Sequence, residues 1–240
     1  MCGRFGLKTT FSTLAKLLRA GPVEDHEWGP DFNIAPTDPA PVLLRDASGA
    51  LHLDLFRWGL VPFWADDPKI GARMINARSD TVASKPAFKD AFATRRLLVP
   101  ASGWYEWRHA TPGPKANTSN TSDKRPQPYW IHATDEAPLQ FAGLWAKWKD
   151  KTSGDTRHTF TIITTDAAPS TAAVHDRMPV ILTPTGRDLW LAPETDAATL
   201  QSLLVPYPGE LALHPVSKQV NSVRSDGPEL IFPLLTPLDP

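Results

Sequence analysis

The most unusual chemistry in this chain belongs to Cys2, which directly follows the initiator methionine. Removal of Met1, which small second residues normally permit, leaves an amine and a thiol on adjacent carbons, a pair that no internal residue offers. An α-amino group titrates at about 7.7 to 8.0, so roughly 10% is neutral at pH 7, against under about 0.1% for a lysine near 10.4. Such an amine attacks an aldehyde without further activation. The thiol can then close on the imine carbon to give a five-membered thiazolidine, which is more durable than a hydrolysable imine.

Other residues could move protons or hold a ligand. Glu106, within Ser102-Gly103-Trp104-Tyr105-Glu106-Trp107, is a carboxyl set among aromatic rings. Partial loss of water there would raise its pKa toward neutrality and suit it to proton transfer, whereas strand alternation could instead turn it to solvent. His175, in Val174-His175-Asp176-Arg177-Met178-Pro179, is either a proton carrier or a surface-turn histidine. Asn76 and Arg78 alternate, so both would face one side of a strand, ready for a sugar or a phosphate; a buried Asn beside an exposed Arg has the same spacing. Trp58, Phe63 and Trp64 are core residues by default, although flat aromatic faces are also what bases stack upon. Cys2, His175 and Glu106 also match the composition of a thiol-protease triad. The chain has no phosphate-binding glycine loop, and its seven histidines show no metal-ligand spacing, so no metal and no other cofactor is expected.

The elements that must position these residues are mostly strands. Proline, at 25 of 240 residues, is about twice its usual 5% share, which argues against a helical bundle. Phe11, Leu14, Leu17 and Leu18 predict one amphipathic helix over Thr10 to Ala20, capped by Thr10 or Ser12 and stopped at Gly21. Pro41 to Arg45 and the alternating Leu51, Leu53 and Leu55 predict a hairpin around Ala47 to Ala50. Further strands are expected at Met74 to Ala77, Arg96 to Trp107, Pro128 to Ala133, Leu139 to Lys147 and His158 to Thr164. Ser79 to Phe92 reads as a helix interrupted at Pro86, and Thr185 to Leu191 and Asp196 to Leu204 as two short helices. Between His109 and Gln127 no aliphatic residue exceeds Ala, which predicts a mobile surface loop. The expected fold is a single α+β domain over residues 2–235, with antiparallel strands curled into a barrel-like sheet system and peripheral helices.

Bulk properties bound the function. No stretch approaches the roughly 18 apolar residues of a membrane-spanning helix, so no membrane partner is expected. A net charge of −1 supplies no long-range attraction for nucleic acid, and any such contact must be local. Residues 57–107 carry eight basic and five acidic side chains, which allows a basic groove there. A single cysteine excludes internal disulfides and multi-cysteine zinc sites, and with no signal-peptide pattern it points to a reducing, cytoplasmic location.

Taken together, the segments Met1-Cys2-Gly3-Arg4-Phe5, Asn33-Ile34-Ala35-Pro36-Thr37, Trp58-Gly59-Leu60-Val61-Pro62 and Ile75-Asn76-Ala77-Arg78-Ser79-Asp80 resemble the SRAP family (SOS response-associated peptidases, or abasic site processing proteins). Gly103-Trp104-Tyr105-Glu106-Trp107, His175-Asp176-Arg177-Met178-Pro179 and His214-Pro215-Val216-Ser217 with Val220-Asn221 continue the match in the family's order. The resemblance implies a protein of DNA repair and the SOS response that senses and shields abasic sites in single-stranded DNA through a lyase-like covalent crosslink. By it, Cys2 supplies amine and thiol, Glu106 and His175 assist ring opening, imine formation and reversal, and Asn76 positions Cys2 and the sugar. Arg4, Arg78 and Arg177 would contact phosphates, with Phe63 and Trp64 as an aromatic wedge where relatives carry two adjacent Trp. The loop at 109–127 exceeds the connection of bacterial relatives. A monomer is expected, because a partner subunit would crowd the free amine. Two alternatives stand beside this reading: a thiol (auto)peptidase using Cys2, His175 and Glu106, and a noncovalent single-strand binding module in which Cys2 is incidental.

Overall fold

The computed structural model describes residues 2–21, 28–108 and 126–234. Met1 and almost all of the loop expected at 109–127 lie outside these residues; the end of that expected loop, Gln127, is the first residue of a strand. Twelve strands are present: β1 (Phe5–Leu7), β2 (Asp31–Ile34), β3 (Pro39–Arg45), β4 (Leu51–Trp58), β5 (Asn76–Arg78), β6 (Arg96–Ala101), β7 (Gly103–Arg108), β8 (Gln127–Ala133), β9 (Leu139–Lys149), β10 (Thr156–Asp166), β11 (Arg177–Pro179) and β12 (Leu211–Pro215). Four short α-helices accompany them, α1 (Phe11–Leu18), α2 (Lys89–Thr94), α3 (Pro184–Leu191) and α4 (Ala197–Ser202). The fold is mixed α+β and dominated by strands.

Strands β10, β4, β3, β6 and β9 pair in that order, and β9 pairs back onto β10, closing a five-stranded barrel. Closure removes the exposed edges that an open sheet would present. The expectation of antiparallel pairing holds for every neighbour except along β10, which runs parallel to β4 and then to β5. β10 is the spine of the site: Phe160 pairs with Trp58, Ile162 with Asn76 and Thr164 with both Arg78 and Pro179. A second sheet, ordered β12-β8-β7-β1-β2, carries Glu106 on β7. The two sheets share a core in which Phe5 packs edge-on to Trp58 at 5.1 Å and Trp104 edge-on to Phe141 at 6.0 Å, geometries that suit the aromatic quadrupole.

Local chemistry explains the agreements and the differences. α1 buries Phe11, Leu14, Ala15 and Leu18, and Thr10 caps it by accepting from the Thr13 N–H. It ends earlier than expected, on Arg19 in the left-handed region at φ 53°, rather than at Gly21, whose N–H instead bonds the Leu51 carbonyl at 2.6 Å. The expected hairpin of β3 and β4 forms, with Arg45 opposite Leu51 and Leu43 opposite Leu53. The strand expected at Met74 to Ala77 starts two residues later, because Met74 closes a 3-10 turn with its N–H on the Gly71 carbonyl. The helix expected over Ser79 to Phe92 is a series of turns until Lys89, since Pro86 removes a donor where a helix would need one. The strand expected from Arg96 to Trp107 breaks at Ser102, whose N–H bonds the Gly6 carbonyl at 2.8 Å as the chain leaves the barrel for the second sheet.

Gly59 marks the end of β4 and sits at φ 116°, with an added Cβ placed 2.6 Å from the Gly71 carbonyl oxygen. Gly49, at φ 86° in the hairpin turn, faces open space. Gly59→Ala should therefore lose about 3 kcal/mol of stability from backbone strain plus collision, and Gly49→Ala only about 1 kcal/mol from strain. Urea unfolding of the two variants measures the difference, and equal losses would mean that the approach of Gly59 to Gly71 is not a packing constraint.

Candidate active site

Four elements converge on the amino-terminal segment. β1 places Cys2 just before the sheet, where it is completely buried. Asn76, at the start of β5, donates from Nδ2 to the Cys2 carbonyl at 2.7 Å, while its buried Oδ1 has no hydrogen-bond partner. The amide thus fixes the backbone of Cys2 and keeps an acceptor beside it. Trp58 backs this contact, its indole N–H donating to the Ile75 carbonyl at 2.9 Å.

Glu106 projects inward from β7 and is 2% exposed, between Tyr105 and Trp107. Tyr105 is anchored by its hydroxyl on the Phe32 carbonyl at 2.8 Å, and Trp107 by its indole N–H on Asn221 Oδ1 at 2.7 Å. Burial pushes the Glu106 carboxyl up to about 7, with the charge of Asp176 acting in the same direction. A carboxyl raised toward neutrality is suited to giving and taking a proton in turn. Burial also pushes the Cys2 thiol up, and the nearby Glu106 charge adds to this.

His175, between the turns after β10 and the start of β11, brings Nε2 to 4.0 Å from Glu106 Oε2. Its Nδ1 accepts the Arg177 backbone N–H at 3.0 Å, which in the neutral ring leaves the proton on Nε2, facing Glu106. Nδ1 also lies 2.8 Å from Asp176 Oδ1, so a ring protonated at Nδ1 would donate there instead. Sequence reasoning did not single out Asp176, although it is adjacent to His175 in the same motif.

The three arginines expected as phosphate contacts differ from one another. Arg4 is 9% exposed and donates from Nη1 to Asn33 Oδ1 at 2.7 Å and to the Val220 carbonyl at 2.9 Å. Asn33 in turn donates to the Ser222 and Ser225 carbonyls, so this pair brackets the C-terminal turns rather than facing solvent. Arg177 is 8% exposed and donates to the Thr164 carbonyl and to Asp166. In both, terminal guanidinium nitrogens are held by backbone carbonyls, while the buried Nε has no hydrogen-bond partner. Arg78 alone is open to solvent, paired with Asp80 at 2.7 Å, which holds that carboxyl down at about 2. Phe63 and Trp64 are 64% and 47% exposed, which is not the core position that is the default for aromatic residues. Among the described residues no group of three metal-ligating side chains occurs, and no helix is long and apolar enough to cross a membrane.

Comparison with known proteins gives the family and the fold. The family model described as SOS response associated peptidase (SRAP) matches residues 1–223. An abasic site processing protein of Bacillus subtilis, YoqW, is 38% identical over 96% of this chain and 99% of its own length. The abasic site processing protein HMCES of Gallus gallus is 32% identical over 98% of this chain and 78% of its own. A crystal structure of a Bacteroides thetaiotaomicron protein superimposes with a TM-score of 0.81 at 25% identity, covering 98% of this chain and 100% of that one. With its motifs in order, its cysteine, carboxyl and histidine gathered at one place, and relatives matched along nearly its whole length, the chain belongs to the SRAP family.

Proposed function

We propose that this protein captures abasic sites in single-stranded DNA by forming a thiazolidine through Cys2 once Met1 has been removed. The reading takes residues 2–235 as one domain, acting as a cytoplasmic monomer without a metal. The observation that carries it is the buried Glu106, its carboxyl raised by loss of water, near a cysteine whose carbonyl is held by Asn76. The names of the relatives point to the same substrate.

Protonated Glu106, with His175 beside it, gives a proton to the ring oxygen of the abasic sugar as the C1–O bond to that oxygen breaks and the C1 hydroxyl loses its proton to solvent, leaving the aldehyde. The neutral α-amine adds to C1, and loss of water, assisted by the same proton carriers, leaves an imine. The thiol then adds across the C=N bond: sulfur bonds C1 and its proton passes to nitrogen, closing the ring. Reversal runs through the same imine. The buried Asn76 Oδ1 offers an acceptor for a sugar hydroxyl. Arg78 exchanges Asp80 for a backbone phosphate, and Phe63 and Trp64 stack against a neighbouring base. Arg4 and Arg177 lend positive potential from beneath.

A thiol-protease triad needs one imidazole nitrogen for the thiol and the other for the carboxylate. In this structure Nε2 faces Glu106 and Nδ1 receives the Arg177 N–H, which supports capture over peptide hydrolysis.

Three outcomes are expected. On a denaturing gel, Met1-processed protein should shift an abasic single-stranded oligonucleotide, and neither Cys2→Ala nor a Met1-retaining chain should; a shift with Cys2→Ala would place the chemistry elsewhere. Glu106→Gln should slow adduct formation by about 10² to 10⁴-fold and abolish a rate inflection near pH 7, read by quenched time courses; an inflection that persists would belong to another group. Stability should carry the same signature. A carboxyl raised on folding stabilises the native state fully below about pH 4.5, and that contribution is lost as pH rises to about 7. Relative to Glu106→Gln, the wild type should therefore lose about 3 kcal/mol over this range, measured by urea unfolding; a constant difference would show that Glu106 is not held neutral.

A further inference from the structure

Beside Trp58, opposite ends of the segment that carries Phe63 and Trp64 frame a cavity of about 180 Å³. Its charged lining is Arg57, Lys69 and Arg157, and no carboxylate lines it. The parallel register sets Arg57 beside Thr159, and Arg157 lies two residues earlier on β10, so strand alternation sends all three side chains from one face. Arg157 lies 5.7 Å over the ring of Trp148, whose indole N–H holds the Ala65 carbonyl at 2.7 Å. The cation is thereby tied to the segment bearing the exposed aromatics. Among the described residues, Arg57, Lys69 and Arg157 make no ion pair. The nearby Asp67 accepts the Lys69 backbone N–H.

The cavity has a second mark of a binding site. Thr37, on its wall, sits at φ 79°, a left-handed conformation unusual for a β-branched residue, and is held there by its N–H on the Trp58 carbonyl at 2.9 Å. Strain of this kind persists where the surroundings enforce it, and it gathers at ligand sites. Three unneutralised cations, a hydroxyl and a volume suited to a small anion select a phosphate group.

We propose that this cavity holds a phosphodiester of the bound strand, next to the nucleotide stacked on Phe63 and Trp64. The inference rests on the reading of the chain as a single-strand capture protein, and it extends the strand's path beyond the lesion. Trp58 is the shared wall, lining the cavity while its indole N–H supports the residue next to Asn76.

The test is fluorescence anisotropy of an undamaged single-stranded oligonucleotide across a salt series, for the wild type and for the combined variant Arg57→Gln, Lys69→Gln, Arg157→Gln. Adduct formation on an abasic oligonucleotide is timed at saturating DNA in parallel. All three side chains are exposed, so the variant should melt as the wild type does. Affinity should fall about tenfold and the slope of log K against log salt should become shallower by about 0.7 per phosphate lost, with the saturated adduct rate unchanged. If affinity and slope stay at wild-type values while the wild type still forms its adduct, the phosphate site is wrong and the capture reading stands. If the wild type forms no adduct, the capture reading fails, and the site is wrong with it. A free mononucleotide that binds the wild type but not the variant, while strand affinity is equal in both, would assign the cavity to free nucleotides and overturn the strand contact.

Discussion

The hydrogen bond from Asn76 Nδ2 to the Cys2 carbonyl is the point at which the barrel meets the amino-terminal segment. Asn76 is placed by β5, which exists because β10 continues past the end of β4 and offers its freed edge. Cys2 is placed by β1, which pairs with β2 and β7 in the other sheet. A nucleophile at a chain end is ordinarily the least ordered group in a protein. Cys2 is completely buried and fixed at its backbone, so in the proposed capture the entropic cost of orienting it would be met by folding and not by the reaction.

The same burial sets the electrostatics. Glu106 loses water on an inward-facing position of β7, and its pKa rises to about 7. Placing a carboxyl there opposes folding as pH rises toward that value, a cost the surrounding core must outweigh, and in the proposed capture the gain would be a proton carrier matched to neutral conditions. His175 is held by a backbone N–H on one nitrogen and turned toward Glu106 with the other. The cationic side chains divide in two sets. Arg4 and Arg177 are buried and bonded to backbone carbonyls of the frame, and Arg78, with Arg57, Lys69 and Arg157, is exposed. On the proposed reading, a chain with net charge −1 would engage a polyanion by placement rather than by overall field.

Much of this was legible in the sequence where the pattern is local. The alternating leucines of β4, the 3.6-residue spacing of α1 and the motif residues Asn76, Glu106 and His175 all carry their signals within a few positions. What was not legible depends on distant pairing. A barrel-like curl was expected from the sequence, but not which strands close it: β9 and β10 lie beside β6 and β4 from far away in the chain, and the parallel pairing of β10 with β4 and β5 has no local marker. The burial of Arg4 follows from carbonyls at Val220, more than two hundred residues on. The turns from Ser79 to Phe88 defeated a helical spacing because Pro86 and the packing of Val82 and Phe88 outweighed propensity. Thr37 has no sequence signature for its left-handed backbone, since that conformation is imposed by Trp58.

The most direct measurement of the central claim is the intact mass of the purified adduct before and after borohydride treatment. An imine and a thiazolidine have the same mass, and only the imine gains two hydrogen atoms on reduction. The account predicts a wild-type adduct equal to the chain without Met1 plus the oligonucleotide less one water, unchanged by borohydride, beside a Cys2→Ser adduct that does gain them. A wild-type adduct that retains Met1, or that is reduced like the serine variant, would contradict ring closure by the Cys2 amine and thiol.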